Sequence, residues 1–142
     1  MKGDVLPEAS HVTRLCSYRQ LNPNGLPDSS AFLHRPSEVF LSVNWLECLA
    51  LKNRAEEVAE VLRVLRTKRS IGTLAQLALL HVGRSSTAVW AGTMPRFLIQ
   101  YLHEPEIQPA DPSHSGIYNI PRDDNTVAEL LALSVETLYP TR

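Results

Sequence analysis

Leu74-Ala75-Gln76-Leu77-Ala78-Leu79-Leu80-His81-Val82, bounded by Gly72 and Gly83, is the stretch on which the fold turns. Its leucine and alanine content suits a helix. Its length and the flanking glycines suit a buried strand, and it reads as strand. It falls far short of the ~20 apolar residues that span a bilayer. Once it is a strand, its neighbours fall into place. Residues 12–18 alternate, with Val12, Arg14, Cys16 and Tyr18 against Thr13, Leu15 and Ser17. Val39-Phe40-Leu41-Ser42-Val43 is short and rich in β-formers. In residues 97–103, Phe97, Ile99, Tyr101 and His103 oppose Leu98, Gln100 and Leu102. Both of those faces are largely apolar, which predicts a central strand. Gly116-Ile117-Tyr118-Asn119-Ile120 is a further short strand.

Helices lie between these strands. Ala55, Val58, Ala59, Leu62 and Leu65 form an amphipathic stripe behind an Asn53 cap. Glutamates precede arginines and lysine along it, the order the helix dipole favours. A last helix starts at Asp124 or Asn125, carries Val127, Leu130, Leu131, Ser134 and Leu138 on one side, and stops at Pro140. Shorter helices are expected over 43–52 and 86–92. The expectation is one small α+β (or α/β) domain over 1–142, with 1–10 as a disordered arm. It has a mixed sheet of about four to five strands and about two to four packed helices.

Composition excludes several classes. With 44% hydrophobic and 20% charged residues, the 142-residue chain is not disordered, collagen-like, coiled-coil or multi-spanning. The net charge of −1 hides a division, because residues 52–103 sum to +5 and residues 104–142 to −5. The two parts can cancel by folding together, the preferred reading, or leave a basic face for an anionic ligand. Seven of the 10 prolines lie in two loops, 22–36 and 105–121. Cys16 and Cys48 sit among apolar neighbours and are expected as buried, reduced thiols. Residues 1–10 lack the apolar segment of a signal peptide, so a cytoplasmic location is expected.

Catalytic motifs are sparse. No two of the five histidines stand three or four apart and no Cys-x-x-Cys exists, so no zinc site is expected. His11-Val12-Thr13 is half of a two-histidine phosphodiesterase pattern whose second half is missing. A nucleophile elbow, a P-loop and a dinucleotide fingerprint are likewise missing. His34 and His114 lie in polar, loop-like settings where functional side chains commonly sit. His81 and His103 sit in apolar strands and read as satisfied core or edge residues. Arg63, Arg66, Lys68 and Arg69 read as a solvated helix end. The cluster lacks interleaved aromatics and the pI is near 6.5, so nucleic acid is not the expected partner.

Gly25-Leu26-Pro27-Asp28-Ser29-Ser30-Ala31-Phe32, then Pro36 and Leu41-Ser42-Val43, with Asp111-Pro112-Ser113-His114-Ser115-Gly116-Ile117 further on, resemble a pattern in short prokaryotic proteins. The resemblance implies that Phe32, Leu41-Ser42-Val43 and His114 belong to a shared core, and brings no activity with it. A second layout is similar to small NAD-consuming ADP-ribosyltransferase-like folds: Arg19 ends one strand, and Ser42 and Asn44 lie on the next. That likeness implies that Arg19 holds a pyrophosphate and that the serine strand shapes a nicotinamide pocket. The expected catalytic glutamate is missing, since Glu47 has no equivalent there.

Two functions follow as expectations. The leading one is an accessory module of a prokaryotic operon that docks a protein partner, with self-association as one form and no membrane, metal or cofactor. The alternative is a small enzyme using Arg19, His34, Ser42 and His114 in one cleft on a nucleotide-like or other anionic substrate. The candidate ligand- or partner-binding residues are Arg19, His34, Ser42, Asn44, His114 and Ser115, with none assigned to catalysis.

Overall fold

A computed structural model describes residues 1–142. The deciding stretch is a strand, β3 (Gln76–His81). It pairs along its whole length with β1 (His11–Cys16), from His11 opposite His81 to Cys16 opposite Gln76. β2 (Leu41–Trp45) lies on the other side of β1. β5 (His114–Tyr118) and β4 (Gln100–His103) continue the sheet beyond β2, and β6 (Thr137–Pro140) closes it beyond β3. The order is β4-β5-β2-β1-β3-β6.

Helix α1 (Arg54–Lys68) covers one face, with Val58, Val61, Leu62 and Leu65 packing on Leu77 and Leu79. The other face carries α2 (Val82–Gly92), α3 (Thr126–Leu133) and the 3₁₀ turn Ser29–Phe32, packing on Val12, Leu41, Val43, Ala78 and Leu80. β3 is therefore buried on both faces, which is why its sequence is a run of apolar residues rather than an alternation.

The chain is a single small α+β domain, and its details correct several expectations. The sheet has six strands, not four or five, and every pair in it is antiparallel rather than mixed. Interleaved strands and helices suggested parallel neighbours. β2 and β3 do run the same way across the α1 connection, but β1 lies between them and turns both contacts antiparallel. The sixth strand comes from residues expected to be helical. α3 stops at Leu133, where the Ser134 hydroxyl donates to the Leu130 carbonyl, and the chain then pairs with the free edge of β3. Edge pairing overrides the helical stripe that the sequence carries to Leu138.

β4 is not central but at the sheet's end. Its apolar outer edge is covered by the N-terminal residues. The Leu6 amide donates to the Tyr101 carbonyl, the His103 amide donates to the Asp4 carbonyl, and Leu6 is buried. Over 43–52 there is no α-helix. β2 runs on to Trp45, held by β1 and β5, and only a 3₁₀ turn (Glu47–Leu49) follows, ended by Ala50 at φ 53°. α1 forms as expected, and the Asn53 side chain accepts from the Glu56 amide, worth about 1 kcal/mol. α2 begins earlier than expected because the His81 ring accepts from the Arg84 amide and caps it. Cys16 is buried and Cys48 partly exposed, and both are free thiols. No helix is long and apolar enough to cross a membrane.

Candidate functional site

Alternation and register together place the site. Side chains opposite one another in an antiparallel pair share a face. Thr13 pairs with Asn44, and Asn44 pairs with His114, so one row crosses β1, β2 and β5 on the face beneath α1. Ser42 lies two residues along β2 on the same face, opposite Gly116. These groups look out under the C-terminal end of α1, which contributes Leu65, Lys68 and the following Arg69. A small cavity of about 140 Å³ is lined by Thr13, Arg14, Ser42, Asn44 and His114 together with that helix end and Glu106.

His114 has a defined tautomer. Its Nδ1 lies 2.7 Å from the Glu104 carbonyl, which can only accept, so Nδ1 carries the proton. In the neutral ring Nε2 then holds the lone pair, to which the Ser42 hydroxyl, 3.1 Å away, donates. Gly116 lets the Phe40 ring lie beside this pair. A Cβ at Gly116 would come within 2.4 Å of the ring, whose centroid is 5.8 Å from that of His114. Tyr118 donates to the Glu104 carboxylate. Burial, and then that carboxylate, push the Tyr118 phenol up to about 12.

One wall is a charge lock. Asp111 is fully buried, and its carboxylate accepts from Lys68 and, at 2.9 Å, from the Asn44 amide. Lys68 also reaches Glu106, and Asn44 donates to the Ser113 hydroxyl. The second proline-rich loop is thus tied onto the sheet beside His114, whose amide donates to the Asp111 carbonyl.

The other wall opens where β1 and β2 part. Their paired register is only Val12 opposite Trp45 and Thr13 opposite Asn44. Arg14 fills the gap beyond, donating from Nε to the Ala31 carbonyl (3.0 Å) and from Nη1 to the Ser42 carbonyl (2.9 Å). Burial, with Arg69 and Arg35 nearby, lowers the pKa of its guanidinium, outweighing the opposite pull of Cys16 and Glu38. Arg14, Leu15 and Arg69 are shared with a larger adjoining cavity of about 360 Å³, lined also by Ser17, Gln20, Arg35 and Glu38. Two polar atoms in the sheet are buried without any partner, Thr13 Oγ1 and Trp45 Nε1, and the first belongs to a residue lining the small cavity. No group of three or more His, Cys, Asp or Glu stands close enough to hold a metal ion.

Comparison with protein-family models, with curated proteins and with solved structures finds no match to this chain.

Of the six candidate residues, Ser42, Asn44 and His114 come together in one cavity. Ser115 alternates to the opposite face, pairs with Val43, and donates its hydroxyl to the Ser113 carbonyl. Arg19 is exposed in the 3₁₀ turn Tyr18–Gln20 and lines neither cavity. His34 lines neither, and its ring lies 3.1 Å from the neighbouring Arg35 carbonyl. The four-residue cleft of Arg19, His34, Ser42 and His114 is therefore not formed. Chain reversal at 18–20 carries Arg19 off the sheet, and Arg14 takes the place in the wall. Glu47 is committed to His11, whose backbone and ring bonds hold its carboxyl low despite burial pushing the other way.

Sequence reading missed Thr13, Arg14, Arg35, Lys68, Arg69 and Asp111. One signal was available: Arg14 interrupts the apolar face of Val12 and Cys16, an unusual place for a charge without a function or partner.

Proposed function

We propose that the protein binds a small anionic molecule in the groove formed by the two adjoining cavities. One observation carries this reading: Arg14, Arg35 and Arg69 line the larger cavity with a single carboxylate, Glu38, and none of the three enters an ion pair. Three cations gathered in a concave site against one carboxylate repel one another, and an anion relieves that repulsion. Guanidinium forks suit phosphate or carboxylate oxygens. A volume of about 360 Å³ suits one small molecule.

Calorimetric titration with inorganic phosphate and with a nucleoside monophosphate at low salt tests the proposal. Binding should weaken with salt. Arg69→Ala and Arg35→Ala, at exposed positions, should each weaken it about 10–100-fold, the worth of a charge-assisted hydrogen bond. No binding of either anion at millimolar concentration, with the fold intact, would refute it.

Docking of a protein partner remains the second reading, supported by a different place. Leu26 and Leu133 are 52% and 84% exposed at a groove between loop 22–29 and the end of α3. Failure of both anions to bind would move the weight to that groove.

A further inference from the structure

We infer that Ser42 is a nucleophile activated by His114, and that the protein cleaves carboxylic esters whose acyl part carries an anionic group. The inference rests on the anion-binding reading for the place of that charged group, and on separate geometry for the chemistry. The His114 tautomer is fixed by the Glu104 carbonyl so that Nε2 faces the Ser42 hydroxyl as a base at 3.1 Å. This is the nucleophile, base and orienting acceptor of a serine hydrolase, with a main-chain carbonyl in the orienting role.

The second observation is the Thr13 hydroxyl. It is 1% exposed, lacks a partner, and belongs to a residue that lines the same cavity as Ser42 from the adjacent strand. A carbonyl oxygen lying between the two residues would give it an acceptor. Phe40 screens the pair from one side.

Electrostatics select an acyl rather than a phosphoryl group at Ser42. Lys68 is neutralised by Asp111 and Glu106, and the Glu106 carboxylate itself lines the small cavity. A phosphoryl group there would meet that negative charge. A neutral acyl carbon would not, and its anionic tail extends to Arg14, Arg35 and Arg69 next door.

The step balances without a cofactor. Ser42 Oγ attacks the acyl carbon and gives its proton to His114 Nε2. The carbonyl π pair moves onto oxygen, which accepts from the Thr13 hydroxyl. Collapse breaks the ester C–O bond, and the leaving alcohol takes the proton from His114. Water, deprotonated in the same way by His114, then attacks the acyl-serine and releases the carboxylic acid, restoring Ser42.

The test uses the full chain and a fluorophosphonate, read by intact mass and peptide mapping, beside turnover of the 4-nitrophenyl monoester of succinate and of 4-nitrophenyl acetate. One adduct on Ser42 is expected, absent in Ser42→Ala. His114→Gln should slow labelling about 100-fold or more. Thr13→Val removes an orphaned hydroxyl, so its melting temperature should hold or rise while ester turnover falls about 100-fold. The succinyl ester should be preferred over acetate, and inorganic phosphate should compete with it. No adduct on Ser42, or equal labelling in His114→Gln, overturns the inference, while phosphate binding by the wild type would still stand. Labelling with no preference for the succinyl ester overturns the assigned substrate, while the anion site is still decided by phosphate binding to the wild type.

Discussion

Replacing Lys68 with methionine strands the carboxylate of Asp111. Lys68 keeps only 13% of its side chain exposed and Asp111 none, so water cannot substitute for the lost ammonium. Breaking a buried ion pair from one side costs about 3–5 kcal/mol. The Asn44 amide remains on Asp111, which places the expectation near the low end, about 3 kcal/mol. The stranded charge can also escape by taking up a proton, and this sets a ceiling. At about 1.4 kcal/mol per pH unit above an unfolded aspartate's ~3.9, the ceiling is about 4 kcal/mol at pH 7 and about 1.5 kcal/mol at pH 5. Urea unfolding of Lys68→Met against wild type should therefore show a loss of about 3 kcal/mol at pH 7 that shrinks by about 1.5–2.5 kcal/mol at pH 5. Adding Asp111→Asn removes the stranded charge and should recover much of the loss at pH 7. A loss under about 1 kcal/mol, or one unchanged between the two pH values, would refute the idea that this pair locks loop to sheet.

Gly116→Ala drives a Cβ to 2.4 Å from the Phe40 ring, so unfolding should show a loss of about 1–3 kcal/mol, and His114 should lose its aromatic neighbour. Native thiol labelling at neutral pH should modify Cys48 first. Cys16 should react only on unfolding, because burial pushes its thiol up to about 11. Its neutral form is the one the fold favours, so this contribution is complete below an unfolded thiol's ~8.5 and fades as pH climbs toward 11.

Much of the fold was legible because periodicity and capping are local. The α1 stripe with its Asn53 cap, and the apolar run that became β3, each carry their reading within a few residues. What was not legible is pairing. The run from Val135 to Pro140 continues a helical pattern in sequence, yet β3 offers it an open edge, and nothing in the stretch itself announces that offer. β4 looks central by its two apolar faces, yet the strand-like contact that covers it comes from residues 4–6, almost a hundred positions away. The site divides the same way. Ser42 and Asn44 read from the sequence as neighbours on one strand, and His114 as a polar residue in a loop-like setting. That they share a face follows only once β2 is laid against β5 in the observed register. Arg19 comes from the likeness to ADP-ribosyltransferase-like folds and His34 from its polar loop; neither lines the cavities, because a likeness of layout and the polarity of a loop do not fix direction. Lys68 and Arg69 read as a solvated helix end. Helix periodicity alone cannot show that α1 points its last turn at the cavity.

The places where the sheet departs from consistency coincide. The β1–β2 ladder ends after two pairs, an arginine replaces the missing ladder, and a threonine hydroxyl beside it is buried unpaired. Each departure costs stability: an unpaired buried hydroxyl about 1–3 kcal/mol, an arginine desolvated without a carboxylate more. A purely structural sheet would close the gap with two apolar residues and lose nothing. The deficits are instead grouped around the serine hydroxyl that bonds to His114. Natural folds tolerate such departures chiefly where function needs them. The stabilising effect expected of Thr13→Val and the loss expected in its turnover are therefore two sides of one argument, since the same orphaned donor weakens the empty fold and completes the occupied one.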